Sequence, residues 1–163
     1  MKKIYLILAL IVGITFCIPT YSVNTESDGT EEVCQIPLGK RIINKAKDYI
    51  GTPYKWGATG PKCFDCSGFV MWLYKQEGVK LNRTSRQQYY NGTPVEKDSL
   101  KTGDIIFFAR NKSPKSIYHV GLIVDGNYKD GYSFIHSTRG GVQISNLTGH
   151  YKKKFFAARR ISA

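Results

Sequence analysis

The sequence predicts an α+β fold with N-terminal helices packed on a mostly antiparallel, five- to six-stranded sheet. Apolar residues recur at helical spacing only in the first half of the chain, whereas short runs rich in β-branched and aromatic residues fill the second half. No repeat or long linker divides the 163 residues, which are enough for one domain with its own core. These observations favour helices first, strands second, and one folded unit.

Helical patterns precede the strands. The first runs from Leu38 to Ile50 and stops at Gly51. The second begins at or near Cys66, because the apolar residues that follow it recur at helical spacing up to about Glu77. A capping-box pattern, Thr84-Ser85-Arg86-Gln87, begins a short third helix.

The second half of the chain predicts strands separated by short turns. They are expected at residues 104–109, 118–124, 132–138, 142–145 and 155–161. Gly140-Gly141 is a tight hairpin signal between the third and fourth of them. Because helices come first and strands follow, the sheet is expected to be mostly antiparallel with helices on one side.

The N-terminus has the pattern of a signal peptide over residues 1–22. Lys2-Lys3 supply the charge, residues 4–14 are apolar, and Thr20-Tyr21-Ser22 offers small residues for cleavage after Ser22. Lipidation at Cys17 is the less favoured alternative, because Phe16 stands where a small residue is needed. We therefore expect export to the periplasm, the cell wall or the medium, with a flexible polar segment at residues 23–37 before the folded domain at 38–163.

The chain is strongly basic, with a net charge of +12 that becomes +10 once Lys2 and Lys3 are removed. Such a charge favours contact with anionic polymers of the cell envelope. The basic residues are scattered and no nucleic-acid-binding motif accompanies them, so no nucleic-acid partner is expected.

Removal of the signal peptide leaves an odd number of cysteines, Cys34, Cys63 and Cys66. In an exported protein an odd cysteine indicates a reactive thiol. Cys34 and Cys63 are candidates for a disulfide, with Cys66 left free. Cys63 and Cys66 also form a C-x-x-C pair, but no second such pair for zinc and no thioredoxin-like pattern accompanies it.

Cys66 is the candidate nucleophile, since unpaired N–H groups and the dipole at a helix start favour a thiolate. Two of the three histidines, His119 and His136, lie on consecutive predicted strands, where their side chains can meet on one face. His150 lies in a predicted turn and is expected to be exposed and inert. Each residue alone also fits a structural role, as a core thiol or an ordinary strand histidine. Together they provide the nucleophile, base and orienting group of thiol catalysis.

The candidate residues lie in three sequence blocks, Asp65-Cys66-Ser67-Gly68-Phe69-Val70, His119-Val120-Gly121-Leu122-Ile123 and Ile135-His136-Ser137. Three further blocks are Gly51-Thr52-Pro53-Tyr54-Lys55-Trp56-Gly57, Arg83-Thr84-Ser85-Arg86-Gln87 and Thr102-Gly103-Asp104-Ile105-Ile106-Phe107-Phe108. In this order they resemble the motifs of the NlpC/P60 cell-wall peptidases. The resemblance covers residues 38–161, with departures at Asn82, where many relatives carry proline, and at Cys63.

The resemblance implies a papain-like NlpC/P60 fold and a triad of Cys66 as nucleophile, His119 as base and His136 as third member. It also implies hydrolysis of peptidoglycan stem peptides between D-γ-glutamate and a diamino acid, without a metal or other cofactor. The substrate-binding residues it implies are Tyr54, Asp65, Ser67, Arg83 and Ser85.

Other functions remain open at this stage. An N-acetylmuramoyl-L-alanine amidase, or another amide hydrolase of the cell wall, would use the same thiol and base. A non-catalytic peptidoglycan-binding module and a toxin or immune effector on the same fold are further alternatives. We expect a monomer.

Overall fold

The structure is a computed structural model that describes residues 36–162. The helices are α1 (Leu38–Lys47), α2 (Cys66–Lys75), α3 (Ser85–Gln88) and α4 (Gly149–Lys154). The strands are β1 (Thr93–Val95), β2 (Ile105–Ala109), β3 (Ile117–Asn127), β4 (Gly131–Thr138), β5 (Gly141–Asn146) and β6 (Phe155–Arg160). They form one six-stranded sheet in the order β1-β6-β2-β3-β4-β5, and every neighbouring pair is antiparallel. The predicted α+β fold is confirmed.

Helix α2 begins at Cys66, as predicted, because the residue before it caps the helix. Asp65 is the N-cap, and its carboxylate accepts a 2.6 Å hydrogen bond from the backbone N–H of Gly68. Such a cap satisfies one of the N–H groups that a helix start leaves unpaired. Gly68 also allows close packing, because a Cβ there would lie 2.1 Å from the carbonyl oxygen of Ala58.

The structure differs from the predicted elements in a few places. The predicted first and second helices end earlier, at Lys47 and Lys75. Strand β1 was not predicted, because it has three residues at a sheet edge and contains Pro94, which cannot donate a ladder hydrogen bond. Helix α4 was expected to be a turn. It begins at Gly149 and has no buried residue, so it lacks the apolar pattern that identifies a helix.

Apolar side chains cover both faces of the sheet, in two clusters. The first contains residues of α1 and α2 together with Val120 and Leu122 of β3. The second contains Ile123 of the same strand, with Phe108 and Phe134 from its neighbours. Alternate residues of a strand point to opposite faces, so β3 contributes to both clusters.

The predicted signal peptide, the segment at residues 23–35 and Cys34 lie outside the described residues. Within residues 36–162, no helix is long and apolar enough to cross a membrane.

Candidate active site

Cys66 is the first residue of α2 and is almost fully buried, with 8% of its surface exposed. It is buried in the same apolar cluster as Val120 of β3. Val120 follows His119 in β3, so the thiol lies beside the strand that carries the candidate base. Cys66 belongs to the first apolar cluster, which packs the helices on the sheet.

His119 and His136 lie close together, as their positions on neighbouring strands predicted. The Nε2 atom of His119 is 2.7 Å from the Nδ1 atom of His136. Gly121 allows β3 and β4 to pack closely here, because a Cβ at that position would lie 2.9 Å from the Phe134 ring and 3.0 Å from the carbonyl oxygen of Ile135. The histidine rings pack against the aromatic rings of Phe108 and Phe134, which belong to the second apolar cluster.

The hydrogen bond between the histidines determines which ring nitrogens are available. Since Nε2 of His119 is engaged with His136, Nδ1 is the nitrogen of His119 left to exchange a proton with a thiol. Among the described residues, no hydrogen bond joins the sulfur of Cys66 to His119. The other nitrogen of His136, Nε2, is 2.9 Å from the hydroxyl oxygen of Ser145.

The protonation of Cys66 differs from the sequence-based expectation. A helix start was expected to favour the thiolate, but burial and the negative charge of Asp65 raise the pKa of the thiol to about 11. Backbone hydrogen bonds, with Ser67 first among them, lower this pKa, but their effect is smaller. Burial and the adjacent carboxylate of Asp65 therefore raise the pKa of Cys66 by more than the backbone N–H groups at the helix start lower it.

The histidine pair is held neutral by the same loss of solvent. Burial lowers the pKa of His119 to about 4. Burial, followed by the nearby His119, lowers the pKa of His136 to about 3. At neutral pH the site therefore holds a protonated thiol and uncharged imidazoles.

Three of the predicted substrate-binding residues, Asp65, Ser67 and Arg83, form one hydrogen-bonded network. The carboxylate of Asp65 pairs with the guanidinium of Arg83. The hydroxyl of Ser67 donates to Asp65 at 3.3 Å and accepts from Arg83 at 3.0 Å. The same carboxylate accepts a 3.0 Å hydrogen bond from the N–H of Gly57. These contacts join α2 to the loops before α2 and α3.

Tyr54 is half-buried on the loop that precedes α2. The loop runs beside Phe64, because Lys55 N–H donates to the carbonyl of Phe64 and Phe64 N–H donates to that of Pro53. Burial raises the pKa of the Tyr54 phenol, and the neighbouring ionisable groups of Cys66 and Asp65 raise it further. Tyr54 is therefore within electrostatic range of the candidate nucleophile.

Ser85 differs from the other predicted substrate-binding residues. It is the first residue of α3 and is buried, and its hydroxyl makes no side-chain hydrogen bond among the described residues. The third histidine, His150, is exposed as predicted, with its Nε2 atom 3.5 Å from the hydroxyl of Tyr118.

Ser145 is the partner of the histidine pair that sequence reasoning missed. It lies on β5, where the register pairs His136 with Gln143 and Phe134 with Ser145. The position of Ser145 could have been inferred from the predicted hairpin at Gly140-Gly141. The register of that hairpin puts residues 143 and 145 on the same face of the sheet as His136. Without that register, no sequence pattern indicates that Ser145 lies near His136.

The remaining cysteine and metal alternatives can be compared with the described residues. Cys63 and Cys66 form no disulfide with each other. A pairing of Cys63 with Cys34 involves a residue outside the described range. Within residues 36–162, no three His, Cys, Asp or Glu side chains converge to hold a metal ion.

A thiol at a helix start beside a hydrogen-bonded histidine pair, on an α+β scaffold, is the arrangement of a thiol hydrolase. The NlpC/P60 family profile matches residues 51–160. The chain belongs to the NlpC/P60 family.

Individual relatives agree with this assignment. A gamma-D-glutamyl-L-lysine dipeptidyl-peptidase of Bacillus cereus is 39% identical over 128 residues, which are 76% of this chain and 37% of that protein. The murein DD-endopeptidase MepH of Escherichia coli is 38% identical over 129 residues, 75% of this chain and 45% of that protein. The crystal structure of an NlpC/P60 family protein from Bacillus cereus aligns with a TM-score of 0.68 and 38% identity, covering 75% of this chain and 39% of that one. This chain therefore spans less than half the length of these relatives.

Proposed function

We propose that this protein is a cysteine peptidase that hydrolyses peptidoglycan stem peptides at the bond between D-γ-glutamate and a diamino acid. In this proposal Cys66 is the nucleophile, His119 is the general base and acid, and His136 orients His119. The observation that carries the proposal is the 2.7 Å contact between Nε2 of His119 and Nδ1 of His136, on strands next to the buried cluster that contains Cys66 and Val120.

The first chemical step is attack of sulfur on the amide carbonyl. Because the thiol and the imidazole are both neutral, Nδ1 of His119 takes the thiol proton as the carbon–sulfur bond forms. His136 accepts the Nε2 proton of His119 in a hydrogen bond, which keeps Nδ1 as the basic nitrogen. His119 then delivers its proton to the nitrogen of the leaving amine, and a thioester remains on Cys66.

The negative oxygen of the tetrahedral intermediate needs hydrogen-bond donors. Among the described residues, the backbone N–H groups of Cys66 and Ser67 donate to no oxygen atom. They lie at the start of α2, where the helix dipole also favours negative charge. In the second step, His119 removes a proton from water, which attacks the thioester and releases the acid and the thiol.

The names of two relatives suggest different bonds as the one that is cut. One relative is named for a γ-D-glutamyl–L-lysine substrate, which supports the bond proposed above. Another relative of similar identity is named a murein DD-endopeptidase, which makes a bond between stem peptides the second candidate. Both bonds are amides of the same substrate class, so the triad chemistry does not distinguish them.

We further propose that the protein acts outside the cytoplasm, as a monomer, after removal of residues 1–22. The net charge, +12 for the full chain and +10 without Lys2 and Lys3, supports contact with anionic polymers of the cell envelope. Binding to isolated cell walls is then expected to weaken as salt is raised, because salt screens charges on the surface.

The decisive experiment incubates the purified protein with defined muropeptides and identifies the products by mass spectrometry. Cleavage after the γ-D-glutamyl residue by the native protein, absent in Cys66→Ala and retained in Cys63→Ser, supports the proposal. Equal digestion by native protein and Cys66→Ala would reject the nucleophile. Products cut between stem peptides, or at the muramoyl amide, would replace the proposed bond with those alternatives.

A further inference from the structure

Positive charge is concentrated on the connection between β2 and β3 and on helix α4. The sequence contains no Asp or Glu between residues 105 and 124, or from residue 131 to its last residue. The basic residues of the two segments, which together are called the basic surface below, are Arg110, Lys112, Lys115, Lys152, Lys153 and Lys154. All but Lys154 are exposed, and within residues 36–162 none of the six takes part in an ion pair.

The two segments meet at one tyrosine. The hydroxyl oxygen of Tyr118, the second residue of β3, is 3.5 Å from the Nε2 atom of His150 in the first turn of α4. The guanidinium carbon of Arg110 lies 5.8 Å from the centroid of the same tyrosine ring. Because Arg110 and the start of α4 both approach Tyr118, the basic residues of the two segments belong to one surface.

Both segments are held by contacts of their own. The backbone N–H of Arg110 donates a 3.2 Å hydrogen bond to the carbonyl of Ser116, which closes the connection between β2 and β3. Helix α4 is held by Tyr151, whose ring packs edge-on against the ring of His136 with 5.3 Å between their centroids. The basic surface is therefore fixed to the domain beside the histidine pair.

Elsewhere in the described chain, several basic side chains are neutralised by carboxylates. Glu77 pairs with both Arg41 and Lys45, and the buried Asp104 pairs with Arg160. The six residues of the basic surface have no such counter-charge. Their attraction for an external anion is therefore not reduced by an ion pair within the domain.

The basic surface has a boundary where α4 joins β6. Lys97 lies over the ring of Phe155, the first residue after α4, with 5.4 Å between its ammonium nitrogen and the ring centroid. The residues on either side of Lys97 are acidic, Glu96 and Asp98. Carboxylates therefore limit the basic surface on this side, and the positive charge extends from α4 towards Arg110.

Charges arranged in this way fit a polymer better than a small anion. Each exposed cation contributes only a weak attraction that salt screens, so several must act together. A chain with a negative charge in every repeat can contact cations of both segments at once, and it releases its counterions on binding. Five of the six residues are lysines, whose compact charge binds phosphate oxygens without the paired geometry that a guanidinium and a carboxylate use.

We propose that the basic surface binds a linear anionic polymer of the cell envelope that carries a phosphodiester in each repeat, and thereby holds the domain on the wall. This inference rests on the proposed location outside the cytoplasm and gives the contact with anionic polymers a defined place. None of the six residues belongs to the triad or to the predicted substrate-binding residues. Polymer binding and peptide hydrolysis can therefore be tested separately.

The test compares two variants that lose the same net charge from different places. The surface variant combines four substitutions of exposed lysines, Lys112→Gln, Lys115→Gln, Lys152→Gln and Lys153→Gln. The control variant combines four others, also at exposed lysines without an ion pair in residues 36–162, Lys47→Gln, Lys75→Gln, Lys80→Gln and Lys129→Gln. Both are expected to unfold at the temperature of the native protein, because exposed lysines contribute little to stability.

The affinity for poly(glycerol phosphate) is measured at several salt concentrations. The surface variant is expected to bind at least about tenfold more weakly than the native protein at low salt, and with a smaller salt dependence. The control variant is expected to keep most of the native affinity. An equal loss in the two variants would show that only net charge matters, and this result would overturn the basic surface. Native affinity in the surface variant would overturn it as well.

Isolated cell walls test the chemistry of the partner. Cys66→Ala protein is sedimented with walls before and after their phosphodiester polymers are hydrolysed, and it is expected to bind the intact walls more tightly. Equal binding to the two preparations would overturn the phosphodiester partner. Cleavage of a soluble muropeptide by the native protein is measured independently. A protein that binds the polymer as expected but cleaves no muropeptide supports the basic surface and overturns the proposed hydrolysis.

Discussion

The Nε2 atom of His119 lies 2.7 Å from the Nδ1 atom of His136, so one of these two nitrogens carries the proton and the other accepts it. For His119 to accept the Cys66 proton at Nδ1, its own proton must be on Nε2. His136 then accepts at Nδ1 and carries its proton on Nε2, where the Ser145 hydroxyl lies 2.9 Å away. The three side chains form one consistent series of hydrogen bonds.

Ser145 is accordingly expected to act as a positioning residue. Ser145→Ala leaves the Nε2–H of the fully buried His136 without an acceptor, and a lost buried hydrogen bond costs about 1–2 kcal/mol. We expect kcat to fall roughly 5- to 30-fold with KM unchanged. Ser145→Thr, which keeps the hydroxyl, is expected to restore most of kcat. A wild-type kcat in Ser145→Ala would exclude the role.

The pH dependence of kcat/KM tests the protonation of His119. Below its pKa the imidazole is charged and cannot take the thiol proton, so activity falls as pH decreases through that value. Because burial lowers this pKa to about 4, the acid limb is expected near pH 4. The profile is measured with a soluble muropeptide over the acidic and neutral range. An acid limb near the ordinary histidine pKa of about 6.5 contradicts the prediction.

The alkylation rate of Cys66 tests the protonation of the thiol. The thiolate is the reactive form, and the thiol pKa is raised to about 11, so the rate with iodoacetamide should rise about tenfold per pH unit from pH 6 to 10. Peptide mapping by mass spectrometry separates Cys66 from Cys63. A rate that is already constant below pH 8 indicates instead a thiolate paired with charged His119.

Much of this architecture could be predicted from local patterns. The start of α2 follows from Asp65 as a cap before an apolar helix, and the meeting of His119 with His136 follows from their places on consecutive strands. Strand β1 could not be predicted, because its pairing with β6 joins segments far apart in sequence and its own pattern is weak.

The electrostatics of the site depend on contacts that no local pattern contains. The position of Cys66 predicted a lowered pKa, but its burial against β3 and its distance from solvent are properties of the folded chain. Likewise, Arg83 and Asp65 are separated by 18 positions and meet only after folding. The sequence motifs therefore indicated that Asp65 and Arg83 lie at the same site, but not that they form an ion pair.

The carboxylate of Asp65 connects several segments at the candidate site. It accepts hydrogen bonds from the N–H groups of Gly57 and Gly68 and from the hydroxyl of Ser67, and it pairs with Arg83. It is buried, with 5% of its surface exposed. Loss of this group removes a helix cap and leaves a partly buried arginine without its counter-charge.

Asp65→Ala is therefore expected to lower the free energy of unfolding by about 2–4 kcal/mol, measured by urea denaturation. The control is Asp98→Ala, since Asp98 is exposed and its carboxylate accepts a hydrogen bond from the adjacent Ser99. Removal of that exposed carboxylate is expected to change stability by no more than about 0.5 kcal/mol. Asp65→Asn should lie between the two, because the amide oxygen still caps α2 while the charge opposite Arg83 is lost. Equal stability of Asp65→Ala and the native protein would show that the network does not hold these segments together.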